Sequence, residues 1–319
     1  MPLIDLPLAQ LLTYEGRNPK PEDFDAYWQR GLADMKAIDP AVELVASNFI
    51  APGVECFDLY FTGVGGARIH AKYARPKQVG EPHPAILMFH GYAGHAGDWL
   101  DKVGYAALGF SVLAMDVRGQ GGSSQDCGSV RGTTLNGHII RGLDDHPDQL
   151  LFRQVFLDTA KLAEVAMQLP EVDATKVYAT GGSQGGGLTL ACAALEPRIA
   201  KVAPAYPFLC DYRRVWEMDL ATQAYQELRN YFRSHDPRHE REEEIFTTLG
   251  YIDVQHLASR IRGKVQMAVG LADTICPPST QFAAYNRIPS EKRYLLYPDF
   301  GHEHLPGFAD ATLSFFLAD

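Results

Sequence analysis

Apolar and polar positions along the chain fall into two alternating periods. Short apolar runs of strand length occur at Ala85–Phe89, Phe110–Met115, Lys176–Thr180, Lys201–Tyr206, Val265–Val269 and Tyr294–Tyr297. Between them lie stretches with three- and four-residue spacing of apolar residues: Trp99–Leu108, Leu151–Leu169, Gln184–Ala194, Pro278–Arg287 and Phe308–Phe316. The second of these is the clearest helix, with Leu151, Val155, Leu162, Ala166 and Leu169 on one stripe. Strands without a polar face, alternating with helices, predict a mostly parallel sheet covered on both sides. Ahead of them, Cys56–Phe61 and Ala67–Tyr73 flank a Gly63–Gly66 turn and read as a hairpin, which makes the sheet mixed.

Two segments stand outside this rhythm. Residues 1–40 form an extension with one helical stretch, Glu22–Ala37, in which Phe24, Tyr27, Trp28, Leu32 and Met35 share a face and Pro21 stands at the expected first turn. Residues 208–252 are rich in aromatic and charged residues, look helical and lack a strand. An insertion between two strands at the carboxyl edge of a sheet is expected to act as a lid or a subunit contact. With no internal repeat, residues 1–319 read as a single α/β domain carrying both additions.

Composition narrows the setting. A formal charge of −10 without a Lys/Arg cluster argues against a nucleic-acid surface. The five cysteines are odd in number, scattered and free of C-x-x-C spacing, which fits a reducing compartment without structural zinc. The first residues carry neither a basic segment nor an apolar one of signal-peptide type, and no stretch approaches the ~18 apolar residues of a membrane span. The expectation is a cytoplasmic protein that binds no membrane.

The candidate chemistry begins at Gly181-Gly182-Ser183-Gln184-Gly185, a G-x-S-x-G between a strand and a helix. Such a turn lifts the serine oxygen out of the sheet, and the following helix points its positive end at developing negative charge. No Lys-Ser or Lys-Thr pair follows, so the glycines do not form a phosphate loop. Serine needs a histidine base, and the base needs an acid; after a nucleophile of this type the chain order is Ser, acid, His. Of His235, His239, His256, His302 and His304, the fourth follows a strand through Pro298-Asp299-Phe300-Gly301 and is the favoured base, with His304 its rival. Asp273, just past Val265–Val269, is the favoured acid. Asp299 is too near His302 in sequence to be the usual partner, and Asp253 stays open on spacing.

An alkoxide forming at an ester carbon needs hydrogen-bond donors. The backbone N–H of Gln184 is the expected first donor, and that of Tyr92, in the His90-Gly91-Tyr92-Ala93-Gly94 loop after Ala85–Phe89, the expected second. His90 precedes the serine and is expected to brace that loop. Arg118, in the Gly-rich loop after Phe110–Met115, is expected to pair with a carboxylate and hold its own loop.

The signatures Arg118-Gly119-Gln120, Gly181-Gly182-Ser183-Gln184-Gly185 and His302-Glu303, with Pro21–Trp28 and the His90-Gly91-Tyr92 loop, resemble the acetyl xylan esterases and cephalosporin C deacetylases of carbohydrate esterase family seven. The likeness runs along essentially the whole chain. It implies an α/β-hydrolase fold with a triad of Ser183, Asp273 and His302, and with Tyr92 and Gln184 lining the oxyanion hole. It also implies removal of acetyl groups from short acetylated xylo-oligosaccharides and cephalosporin C-like esters; the alternatives are a broader short-chain carboxylesterase or a peptidase of the same fold. No cofactor or metal is called for, and assembly as a ring-like hexamer is expected, with residues 208–252 and the N-terminal extension at the contacts.

Overall fold

The apolar runs condense into one sheet of nine strands: β1 (Glu43–Ala46), β2 (Val54–Thr62), β3 (Arg68–Pro76), β4 (His83–Phe89), β5 (Ser111–Met115), β6 (Val172–Gly182), β7 (Lys201–Ala205), β8 (Lys264–Gly270) and β9 (Lys292–Tyr297). A computed structural model of the chain describes residues 4–78, 80–127 and 135–318; the first three positions of the N-terminal extension lie outside them. The strand order is β1-β2-β3-β5-β4-β6-β7-β8-β9. The β1–β2, β2–β3 and β3–β5 pairs are antiparallel, and every pair from β5 to β9 is parallel. This is the mixed sheet of an α/β-hydrolase. The central strands β5 and β7 are buried at every residue, as parallel strands covered on both faces must be.

Helices α1 (Leu8–Leu11) and α2 (Phe24–Lys36) precede the sheet, while α3 (Leu100–Ala107), α4 (Leu151–Gln168) and α5 (Gln184–Leu195) alternate with its strands. The β7–β8 connection holds α6 (Tyr212–Glu217), α7 (Gln226–His235), α8 (Glu242–Gly250) and α9 (Val254–Leu257); α10 (Pro278–Arg287) and α11 (Phe308–Leu317) follow. Among the described residues, no helix is long and apolar enough to cross a membrane.

Three differences from the periodicity have physical causes. β1 was not expected, because all four of its residues are exposed at the sheet edge, where backbone pairing with β2 defines a strand and apolar burial does not. β6 starts four residues before its apolar run for a similar reason: Val172 pairs with His83, although Asp173, Ala174, Thr175 and Lys176 are not buried. Pro21 is not in the first turn of α2. It accepts the N–H of Phe24 in a preceding turn, and the helix starts after Asp23.

The two additions are packed into the body. Phe24, Tyr27, Trp28 and Met35 of α2 are buried in the main core together with Phe152 and Phe156 of α4 and Phe232 and Phe246 of the β7–β8 connection. Trp28 stacks on Phe156 at 5.9 Å and donates its indole N–H to the carbonyl of Tyr251 at 3.1 Å. The extension therefore clamps α4 to the helical β7–β8 connection.

Candidate active site

Ser183 follows the last residue of β6 with φ 58° and ψ −121°, a conformation that disfavours any side chain, and α5 begins at the next residue. The surrounding backbone holds it there. Its N–H donates to Ala205 O at 3.1 Å, and its carbonyl accepts from Gly187 N at 3.1 Å and Phe208 N at 2.9 Å. The flanking glycines are sterically required. A Cβ on Gly181 would lie 2.5 Å from Phe89 O, and one on Gly185 would collide with the same carbonyl.

The loops after β8 and β9 deliver the partners. Leu271 N donates to Tyr297 O at 3.1 Å and Ala272 N to Phe300 O at 3.0 Å, so the two loops are stitched together. Asp273 is fully buried. One of its oxygens accepts the N–H groups of Ile275 and Cys276, each at 2.8 Å, and the other faces His302 Nδ1 at 2.8 Å. His302 Nε2 lies 2.8 Å from Ser183 Oγ. A carboxylate at Nδ1 keeps the proton on that nitrogen, which leaves Nε2 to accept from the serine hydroxyl. The structure thus joins Ser183, His302 and Asp273 in one hydrogen-bonded line.

The rival groups lie elsewhere. His304 and Asp299 are exposed, as are His235 and His239, the latter 3.1 Å from Glu242. His256 is buried edge-on against Phe24, and burial followed by the charge of Arg287 pushes it down to about 4. Asp253 caps α9, accepting Gln255 N at 3.1 Å and Asp211 N at 3.0 Å.

The loop after β4 runs beside the first turn of α5, since a Cβ on Gly185 would also approach His90 O at 3.2 Å. The loop that carries Tyr92 thus lies beside the start of α5, where Gln184 is the first residue. His90 braces the loop as expected: Nδ1 faces Gly91 O at 2.7 Å and Nε2 accepts Val117 N at 3.0 Å. Burial lowers its pKa, in keeping with a neutral ring. Arg118 is buried and grips Asp158 of α4 through two bonds of 2.6 and 2.7 Å, while donating to Val64 O at 3.0 Å. It is structural.

Three neighbours of the site escaped the sequence reading. Gln120 forms a reciprocal amide pair with Gln184, at 2.8 and 2.9 Å, with both side chains buried. Its presence in the Arg118-Gly119-Gln120 signature was the available signal. Glu227 of α7 accepts the hydroxyl of Tyr92, and its other oxygen accepts Ile139 N at 2.7 Å and Ile140 N at 3.2 Å. Nothing local marks it. Tyr206, read as the last residue of a strand, instead has φ 32° and sets its ring 4.7 Å from the His302 imidazole, centroid to centroid.

The described residues bring together one group with metal-ligand chemistry, Asp273, Cys276 and His302, whose ligand atoms lie within 4.8 Å of one another. It does not suit a metal. Asp273 and His302 are bonded to each other, and burial first, then the charge of Asp273, pushes the Cys276 thiol well up, away from the thiolate a metal needs.

The chain as a whole is similar to several known proteins. Acetyl xylan esterase 1 from Thermoanaerobacterium sp. JW/SL YS485 is 61% identical, with a TM-score of 0.95 over 98% of each chain. An acetyl xylan esterase from Paenibacillus sp. R4 is 36% identical, with a TM-score of 0.92 over 98% of this chain and 99% of its own. Acetyl esterase Axe7A of Xylanibacter ruminicola is 29% identical over 290 residues, which are 87% of this chain but 62% of that protein, so the chain spans about three fifths of the relative's length. The sequence model of the acetyl xylan esterase (AXE1) family matches residues 1–319. The chain belongs to the acetyl xylan esterase family.

Proposed function

We propose that the chain is a serine esterase that removes acetyl groups from short acetylated xylo-oligosaccharides and from cephalosporin C-like acetyl esters. The observation that carries this reading is the unbroken hydrogen-bond line from buried Asp273 through His302 to Ser183. The names of the two similar structures support acetylated xylan as the substrate class; the cephalosporin esters extend it on the family resemblance.

In this reading Ser183 Oγ attacks the ester carbonyl while His302 Nε2 takes its proton, and Asp273 stabilises the imidazolium. The carbonyl oxygen becomes an alkoxide held by the N–H groups of Tyr92 and Gln184. As it collapses, the C–O bond to the alcohol breaks, and His302 returns the proton to the leaving oxygen. Water, deprotonated by the same histidine, then attacks the acetyl-serine and releases acetate.

Ser183→Ala is expected to lower kcat on 4-nitrophenyl acetate by about 10⁴-fold or more while the protein stays folded. An organophosphate is expected to label the parent at Ser183 and leave the variant unlabelled. Near-normal turnover by the variant overturns the assignment. On 4-nitrophenyl esters from acetyl to octanoyl, activity is expected to fall steeply with acyl length; a flat profile favours a broader carboxylesterase. The working form is a cytoplasmic ring-like hexamer, with residues 208–252 and the N-terminal extension at its contacts. A light-scattering mass equal to one 35.2 kDa chain removes that part.

A further inference from the structure

Tyr206 directly follows β7, the strand that lies between β6, which leads into the nucleophile, and β8, which leads into the acid. It is fixed there in a conformation unusual for a residue with a Cβ, φ 32°, and its N–H donates to Ala268 O on β8 at 2.8 Å. Non-glycine residues in such regions persist where the surroundings over-determine them, and they cluster at functional sites.

Two contacts locate its side chain. The ring packs against the imidazole of His302 at 4.7 Å with planes inclined by 57°. Its tip lies over the residue before the nucleophile: a Cβ on Gly182 would stand 3.2 Å from both the ring edge and the hydroxyl oxygen. The phenol therefore reaches the elbow and the base at once. It is half-buried, and among the described residues its hydroxyl makes no hydrogen bond. Burial, followed by the charges of Asp273 and Cys276, raises its pKa, so the hydroxyl keeps its proton at neutral pH and remains a donor. A half-buried phenol without an internal partner is left open to water or to a ligand hydroxyl.

The reaction geometry says which half of the ester it meets. The leaving oxygen must come within hydrogen-bond reach of His302 Nε2 to receive its proton, so groups that flank the imidazole flank the alcohol half. Resting on the reading of Ser183 and His302 as nucleophile and base, we propose that Tyr206 determines specificity for the alcohol half of the ester, its hydroxyl hydrogen-bonding a sugar hydroxyl next to the acetylated oxygen. A 4-nitrophenyl leaving group has no such hydroxyl and makes no use of this contact.

The test compares the parent enzyme, Tyr206→Phe and Tyr206→Val on acetylated xylobiose and on 4-nitrophenyl acetate. Tyr206→Phe is expected to lower kcat/KM for the sugar ester about fivefold more than for the nitrophenyl ester, the range of one hydrogen bond between neutral groups. Xylobiose, as an inhibitor of nitrophenyl acetate hydrolysis, is expected to bind Tyr206→Phe more weakly by a similar factor. Tyr206→Val, which also removes the ring from the imidazole, is expected to show the same shift in ratio. An unchanged ratio between the two substrates in both variants overturns the role of Tyr206. Inactivity of Ser183→Ala in the same assays keeps the esterase reading intact, whereas an active Ser183→Ala removes that reading first.

Discussion

Single side chains around the candidate site are held by partners distant in sequence. Glu227 is the sharpest case. Its carboxylate serves three donors, the hydroxyl of Tyr92 and the N–H groups of Ile139 and Ile140. Glu227→Ala leaves all three without their acceptor, and buried groups so orphaned cost about 1–3 kcal/mol each. The expected result is a clear drop in the urea midpoint, with a smaller drop for Glu227→Gln, which keeps one acceptor oxygen. A pH signature accompanies it. Burial outweighs the hydrogen bonds and raises Glu227 from 4.5 to about 7. For an acid whose folded pKa is raised, the stability contribution is complete below the unfolded value and lost as pH rises through the folded one. The parent is thus expected to lose stability relative to Glu227→Gln between about pH 4.5 and 7. Parallel stability curves for the two proteins across that window would contradict this account.

At the scale of elements, the loops that frame the site are tied to helices by buried polar pairs. Arg118, in the loop after β5, holds Asp158 of α4, and Asp158 also accepts the N–H of Val64 in the hairpin turn at 3.2 Å. Strand, helix and hairpin meet at one ion pair whose members are 2% and 1% exposed. Removing one member strands a buried charge, so Arg118→Ala is expected to cost about 3–5 kcal/mol, read as a lowered melting temperature. Replacing both members, as Arg118→Met with Asp158→Leu, removes the stranded charge and is expected to regain most of that loss. A double variant no more stable than Arg118→Ala would mean that the pair acts by something other than its charges. The Gln120–Gln184 amide pair links the same loop to the first residue of α5, and so connects this ion pair to the turn that carries Ser183.

For the molecule as a whole, the N-terminal extension works as a strap. Asp5 accepts Ser279 N at 2.7 Å and Arg214 at 2.9 Å, which joins the extension to the start of α10 and to α6. Further along, buried Asp211 accepts the hydroxyl of Tyr14 at 2.8 Å, Arg17 N at 3.0 Å and Asn18 N at 2.8 Å. Burial raises the pKa of Asp211 despite these bonds, so its charge depends on the strap to be tolerated. Deleting residues 1–20 is expected to destabilise the protein by about 3 kcal/mol or more, from orphaned polar groups alone. Thermal unfolding of the truncated chain checks this; an unchanged melting temperature would show that the strap is dispensable.

The local code of the chain made most of its elements and the candidate nucleophile Ser183 legible. A run of apolar residues or a 3.6-residue stripe reports burial of one segment, and the glycines around Ser183 report steric demands within a single turn, so both are visible in short windows. His302 and Asp273 could be ranked because each follows a strand. The line from Ser183 to His302 and on to Asp273, across sequence separations of 119 and 29 residues, is a property of the folded sheet. Only the tertiary structure decided the strand order. It places β7 between β6 and β8, and so turns Tyr206 from an apparent strand residue into a wall of the site. The same holds for Glu227, which sits on a helix without any local mark and meets Tyr92 135 residues away. Strand order and helix docking arise from the sum of many weak burials spread over the chain, and no short stretch of sequence carries that sum.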